Sequence, residues 1–349
     1  MKMESVHEQR RRLVAALLPH GIPRLWCPLL THYTESGHID FSRMTAHFHH
    51  LASHVGGYLI PGSTGDGWEL DDHETMAVVD FALALARDHQ VPLLFGVLRP
   101  DGPSMKATIH EMLDRLRHVT GIENRTDRLA AAHVCGFALC PPRGKMLDQD
   151  RIYRDLRELA GMDVPLALYQ LPQVTENEFA PGTFAALISE YGNIIFLKDS
   201  SGDDRIALSG EARRGVYFFR GAENDYAQWL TEAGGSYDGF LLSTANSFPA
   251  ELSSIIEHLE KGERDAAQLL SARVSGAVRE IFDVVQALPV GNAFTNGNKA
   301  IDHHCAFGPG ASGKAGPMLH GGMRIPGEII VKTGEILGRY GLMPTQGYL

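Results

Sequence analysis

Ile194-Ile195-Phe196-Leu197-Lys198 is a run of four large apolar residues that ends in a lysine, and Asp199-Ser200-Ser201-Gly202-Asp203 follows it directly. A continuous apolar run, without the polar/apolar alternation of a half-exposed strand, is the pattern of a strand buried on both faces of a parallel sheet. Working outward, seven further short runs have the same character, at residues 24–30, 57–60, 91–98, 136–140, 164–171, 216–220 and 239–243. Amphipathic stretches lie between them. Asp40 is a plausible N-cap before Phe41, Met44, Phe48, Leu51 and Val55, and Gly56-Gly57 ends that run. Ile152, Leu156 and Leu159 repeat the spacing before Gly161, as do Phe184, Leu187, Ile188 and Tyr191 before Gly192. Eight strands alternating with helices within about 225 residues favour a closed (β/α)8 barrel, whose usual size is about 250 residues, over a doubly wound sheet.

The spacing predicts an N-terminal helix and the barrel over residues 1–249. A helical appendage over 250–349 follows, with helices at 266–288, 298–307 and 328–340, a Gly-rich loop at 308–322, and no chemistry of its own. A polar insertion is expected at 121–128. The Arg-rich start, residues 10–18, resembles a signal peptide only faintly, because Glu4 and Glu8 precede it and the apolar stretch is short, so it reads as an amphipathic helix. The basic run 10–12 reads as a solvated helix face. No stretch is long enough to span a bilayer, and the expected location is the cytoplasm.

The chain has 42 acidic and 32 basic residues and a formal net charge of −10, which argues against a nucleic-acid partner. Its four cysteines, Cys27, Cys135, Cys140 and Cys305, form no C-x-x-C pair and suit a reducing compartment. No G-x-G-x-x-G follows the first strand and no phosphate-binding P-loop occurs, so nucleotide chemistry loses its main support. Seventeen histidines include His47, His49 and His50 on one helix and His303-His304-Cys305 on another. Neither group has the i, i+4 spacing of a helical zinc site, so the reading is structural or solvated histidines, with no metal and no cofactor.

In such a barrel the functional groups stand at the C-terminal ends of strands. Lys198 closes a buried strand, where desolvation would free its amine for attack on a carbonyl; the bland alternative is a lysine that snorkels to solvent. Tyr169, near the end of the fifth run, could shuttle a proton, or could be a half-buried tyrosine with a satisfied hydroxyl. Pro61-Gly62-Ser63-Thr64-Gly65-Asp66-Gly67, after the second run, could cradle a carboxylate on its backbone N–H groups, or be an ordinary loop. Together these would put an amine, a proton relay and an anion cradle at one end of one barrel.

The motifs that carry these residues resemble those of the dihydrodipicolinate synthase / N-acetylneuraminate lyase family of class I aldolases. Gly62-Ser63-Thr64-Gly65, Tyr169-Gln170-Leu171-Pro172, Leu197-Lys198-Asp199-Ser200-Ser201-Gly202-Asp203, Gly221-Ala222-Glu223-Asn224 and 239–246 occur in the family's order. The resemblance implies that Lys198 forms a Schiff base with pyruvate or a related 2-keto acid, and that Tyr169 relays protons with help from Thr64. It implies that Ser63 and Thr64 hold the carboxylate beside Gly62, that Gly221 and Leu241 line the pocket, and that the chain forms a homo-oligomer, a dimer or tetramer. The imine then serves as an electron sink for making or breaking the bond beyond C3.

Departures from the pattern narrow the expectation. Val174 stands where the synthase has a substrate-binding arginine, Arg143 stands roughly where it has a relay tyrosine, and Asp66 and Gln170 replace its glutamate and asparagine. These point away from lysine biosynthesis. The absence of the lyase pattern after Tyr169 points away from sialic acid cleavage. The expected reaction is an aldol cleavage or condensation of a sugar-acid or aromatic catabolic 2-keto acid, with Arg143 binding a second acidic or hydroxylated group. The alternatives are dehydration of a 3-deoxy-2-keto sugar acid through the same imine, and a non-catalytic barrel that binds a keto acid.

Overall fold

The computed structural model describes residues 5–349; residues 1–4, Glu4 among them, lie outside it. Eight parallel strands close into a barrel in sequence order: β1 Leu25–Cys27, β2 Gly57–Leu59, β3 Leu93–Val97, β4 Val134–Leu139, β5 Leu166–Gln170, β6 Ile194–Asp199, β7 Tyr217–Arg220 and β8 Gly239–Leu241. Closure is made by β1 on β8, with Trp26 level with Leu241. The fold is a (β/α)8 barrel with helices C-terminal to it. Nearly every strand position is buried, which is why each strand reads as an uninterrupted apolar run. Trp26, Phe196 and Phe219 fill part of the interior edge-to-face, at centroid separations of 5.2 to 6.0 Å.

The N-terminal helix Val6–Leu17 starts in a capping box formed by Ser5 and Glu8. Its basic run is not simply a solvated face. Arg10 is completely buried, and its guanidinium donates to the carbonyls of Ile194 (2.6 Å), Ile188 (2.8 Å) and Tyr191 (2.9 Å), and also to that of Arg214. The helix thereby plugs the N-terminal end of the barrel at the start of β6. Residues 121–128 are not a featureless insertion either: Asn124 caps the N–H of Asp127 and opens the helix Arg125–Ala131.

After β8 comes a helix that the periodicity reading passed over, Pro249–Glu260, burying Leu252, Ile255, Ile256 and Leu259. It is followed by Arg264–Val285, Ala293–Phe307 and Gly327–Arg339. The expected loop at 308–322 contains a short turn of helix, Gly308–Gly313, and an isolated bridge between Met318 and Arg324. Every residue of the Ala293–Phe307 helix from Thr295 to Ala306 is buried, although many are polar. Thr295, Asn298 and Lys299 find partners in the loops at the C-terminal end of the barrel, at Ser63, Ser243 and Asp66, so the appendage packs on that end. All four cysteines are free and buried. Among the described residues, no helix is long and apolar enough to cross a membrane.

Candidate active site

Parallel pairing of β5 with β6 sets Tyr169 level with Lys198. Both side chains stand at the C-terminal end of the barrel, and the Lys198 Nζ lies 4.0 Å from the centre of the Tyr169 ring. Lys198 is only 4% exposed. Burial pulls its ammonium down to a pKa of about 7, opposed by Cys140, Glu223 and Cys27. Burial also pushes the thiols of Cys140 and Cys27 up, so both are neutral near pH 7. Of the three opposing groups, Glu223 is therefore the one that can act through its charge. Among the described residues no carboxylate lies within ion-pair distance of Lys198. An amine held half-deprotonated at neutral pH is what nucleophilic attack on a ketone requires.

Tyr169 is buried, and its phenol is pushed above its ordinary pKa by that burial and by Cys140, while a hydrogen bond with Ser200 opposes the shift. It is thus a neutral hydroxyl, competent as a proton donor before it is a base. Thr64, Ser63 and Ser200 line the same pocket as Tyr169 and Lys198. Ser63 and Thr64 sit in a tight turn, Ser63–Gly65, directly after β2. The Ser63 hydroxyl is buried without a hydrogen-bond partner, which costs about 1–3 kcal/mol unless a ligand supplies one.

The remaining candidates separate. Gly221 lines the pocket, and a side chain there would come within 2.9 Å of the Lys198 Cε and onto the Ser200 hydroxyl, so its bareness keeps the space beside the amine open. Leu241 lies behind Gly221, with its carbonyl 3.2 Å from where a Gly221 Cβ would be. Gly62 packs its backbone against Pro28 and shapes the turn from outside the pocket wall. Arg143 is exposed in the loop after β4, is tied to the Pro100 carbonyl through its backbone N–H, and does not line the pocket.

Several wall residues were not singled out from sequence. Glu223 accepts from the Ser243 hydroxyl (2.6 Å), the Thr244 hydroxyl (2.6 Å), the Thr244 N–H (3.1 Å) and the Tyr226 hydroxyl (2.9 Å). Its place in the quoted stretch 221–224 was the available signal. Phe282 and Phe294 come from the C-terminal helices and close the outer wall. Thr295 donates to the Ser63 carbonyl (3.4 Å), and Asn298 donates to the Ser243 hydroxyl (3.0 Å). The same helix carries a second buried lysine, Lys299, paired with Asp66 at 2.7 Å; Tyr33 also donates to Asp66, at 3.0 Å. The pocket itself is small, about 200 Å³, below the roughly 300–1,000 Å³ of drug-sized clefts.

One group of side chains has the geometry of metal ligands: His32, His47 and Asp302, whose ligand atoms lie within 4.8 Å of one another. The Arg43 guanidinium is 2.5 Å from Asp302 and the Tyr348 hydroxyl 2.6 Å. A cation already neutralises that carboxylate, so the group reads as a buried ion-pair network. His303 and His304 bond to the carbonyls of Ala311 and Ile330.

Comparison with known proteins agrees with this geometry. Residues 128–297 match the model of the dihydrodipicolinate synthetase family. A 4-hydroxy-tetrahydrodipicolinate synthase from Lactococcus lactis subsp. cremoris is 22% identical over 280 residues, covering 80% of this chain and 88% of its own. One from Alcanivorax borkumensis is 24% identical over 265 residues, covering 75% and 83%. Among solved structures, a prophage protein of the dihydrodipicolinic acid synthase family from E. coli K12, in complex with pyruvate, superposes with a TM-score of 0.70 at 17% identity, covering 92% of this chain and 99% of its own. The dihydrodipicolinate synthase of Aquifex aeolicus gives 0.67 at 19%, covering 93% and 100%. The chain is similar to this family at low identity along most of its length, and the family match and the fold together support an enzyme of this kind.

Proposed function

We propose that the chain is a Schiff-base lyase that joins Lys198 to the ketone of pyruvate or a related 2-keto acid and forms or cleaves the adjacent carbon-carbon bond. The observation that carries this reading is the state of Lys198: buried, unpaired with any carboxylate among the described residues, and brought to a pKa of about 7 with its amine 4.0 Å from the centre of the Tyr169 ring. Its neutral amine attacks the ketone carbon, and the Tyr169 hydroxyl, still protonated, gives a proton to the oxygen that leaves as water. The orphaned Ser63 hydroxyl and the backbone N–H groups of the 63–64 turn receive the substrate carboxylate, in a position where a buried donor otherwise goes unmatched. The protonated imine draws electrons from C3, so a carbanion formed there is held as an enamine. The pyruvate-bound E. coli neighbour is in keeping with a 2-keto acid in a barrel of this shape. The proposal includes a homo-oligomer working in the cytoplasm, as the family resemblance implies.

The test is borohydride reduction in the presence of pyruvate, followed by peptide mass spectrometry. The expected result is a reduced pyruvyl adduct on Lys198 that is absent from Lys198→Ala. A folded protein without the adduct would instead support the keto-acid-binding, non-catalytic barrel.

A further inference from the structure

Apart from the Ser63–Thr64 turn and Tyr169, which the keto acid occupies, the polar wall groups Glu223, Ser243, Ser201 and Gln173 are engaged with the protein. The four hydrogen bonds to Glu223 occupy its carboxylate, and Ser243, which makes one of them, accepts in turn from Asn298. Ser201 donates to Asp199 at 2.6 Å, and the Gln173 amide donates to the carbonyls of Ser200 and Ser201 at 3.0 and 3.3 Å. What the wall leaves for a second reactant is chiefly apolar. Phe282 and Phe294 are half-buried at the outer rim, and Gly297 lets Phe282 lie against the neighbouring helix, since a side chain there would meet its ring at 2.5 Å. On the opposite side Leu171 lines the pocket and packs with Tyr169, Val174 and Trp68.

Charge gives an independent constraint. Among the described residues, Lys198 is the only cationic residue in the pocket wall and Glu223 the only carboxylate. Once the imine forms, its positive charge is balanced by the keto acid's own carboxylate, and Glu223 remains as a net negative. A second anionic reactant would enter a poorly solvated site against that charge with no cation to receive it.

Resting on the Schiff-base reading above, we infer that the acceptor (or, in reverse, the released aldehyde) is an uncharged, largely apolar aldehyde whose body lies between Phe282, Phe294 and Leu171. In the forward direction the enamine C3 bonds to the aldehyde carbon, and the aldehyde oxygen takes a proton to become a hydroxyl. Water then hydrolyses the imine, returning the Lys198 amine and releasing a 4-hydroxy-2-oxo acid. Atoms and charge balance with no further reagent. Of the sugar-acid and aromatic classes expected from the sequence, this selects the aromatic one. A polyhydroxylated chain would find Glu223, Ser243, Ser201 and Gln173 taken and the Ser63–Thr64 turn occupied by the keto acid, and buried hydroxyls left unmatched are costly.

The experiment uses the full-length protein in two stages. Borohydride trapping with pyruvate comes first, and its failure would remove the Schiff-base reading and this inference with it. Protein that traps pyruvate is then supplied with pyruvate plus benzaldehyde, succinic semialdehyde or glyceraldehyde, and product is followed by mass spectrometry. The inference expects kcat/KM for benzaldehyde to exceed that for either other aldehyde by about tenfold or more, the range in which apolar contacts discriminate. Phe294→Ser should raise the KM for benzaldehyde about tenfold with a smaller change in kcat, because the lost contact binds the ground and transition states alike. Preference for the anionic or the hydroxylated aldehyde, equal rates, or no product from any of the three in a protein that traps pyruvate would overturn it.

Discussion

Two lysines are buried near the same end of this barrel, and they do opposite things. Lys198 ends a strand, and Lys299 sits within a C-terminal helix. Each side chain is shut off from solvent. Lys299 is 2.7 Å from Asp66, with the Tyr33 ring beneath it at 4.6 Å, so its charge is matched where it lies. Lys198 has a tyrosine ring and two neutral thiols for neighbours, and the nearest charge named, Glu223, acts from beyond ion-pair distance. The contrast teaches that burial by itself does not make a lysine reactive. Burial without a paired carboxylate lowers the cost of losing the proton, whereas burial with one fixes the charge and uses it to bind two segments together. Here those segments are the turn that carries Ser63 and Thr64 and the helix that carries Phe294.

The largest effect that would break this contrast belongs to Lys198. Replacing it by Met should abolish adduct formation and lower turnover by about 10⁴-fold or more, as removal of a nucleophile does. The same replacement should stabilise the fold near neutral pH. The folded-state pKa of about 7 lies below the ordinary lysine value of 10.5, so the unfolded chain binds the extra proton between those pH values, and native stability rises with pH across that window. The penalty removed by Met is full below pH 7, on the order of 5 kcal/mol, and vanishes above about pH 10.5. Urea unfolding of the two proteins at pH 7 and pH 10 measures it. A Lys198→Met protein no more stable than the parent at pH 7 would mean that this lysine is not desolvated.

Next in size is Lys299. Lys299→Met leaves Asp66 buried without its cation and should cost about 3–5 kcal/mol, with partial recovery in the Lys299→Met/Asp66→Asn double variant. Whatever fraction stays folded should still trap pyruvate on Lys198. Finding adducts on Lys299 in the parent protein would erase the distinction between the two. Tyr169→Phe follows, with an expected loss of about 10²–10³-fold in turnover, the usual contribution of a positioned proton donor. Its effect should fall on the rate of imine formation in stopped-flow measurements. An unchanged rate would take the relay role away from Tyr169.

How much of this was open to inspection in the sequence depends on where each residue finds its partners. The strands and Lys198 were legible because a strand buried on both faces leaves an unbroken apolar run, and the lysine interrupts it at the end where barrels keep their chemistry. The helix Pro249–Glu260 offered the usual spacing in Leu252, Ile255, Ile256 and Leu259, with Pro249 at its start, so its signal was present though unread. The helix Ala293–Phe307 is a different matter. Only 298–307 was expected to be helical, and Thr295, Asn298 and Lys299 look like solvent-facing residues. They are buried because the Ser63 carbonyl, the Ser243 hydroxyl and Asp66 wait for them some 50 to 230 positions away. Arg10 misleads for the same reason, its partners being carbonyls at 188, 191, 194 and 214. A buried polar residue is licensed by distant groups, and neither periodicity nor composition records them.

The smallest effect sharpens the contrast most finely, because it asks whether charge reaches Lys198 at all. Glu223 is a neighbour that favours the protonated amine, and the thiols that share that effect are neutral near pH 7. Glu223→Gln keeps a side chain of the same shape, and the Ser243, Thr244 and Tyr226 hydroxyls can reorient toward an amide. Removing the negative charge disfavours the ammonium form further, so the Lys198 pKa should fall below about 7 by a fraction of a unit. The rate of adduct formation with pyruvate rises as the amine loses its proton, so its acid limb should move to lower pH in the variant, while the plateau at higher pH stays near the parent's. Rates of borohydride trapping from pH 5.5 to 9, by about half-unit steps, resolve such a displacement. A limb that stays in place would mean that the four hydrogen bonds to Glu223 already screen its charge from the amine. The low pKa would then rest on burial alone, and the case against an anionic acceptor would lose its electrostatic half and keep only the apolar wall.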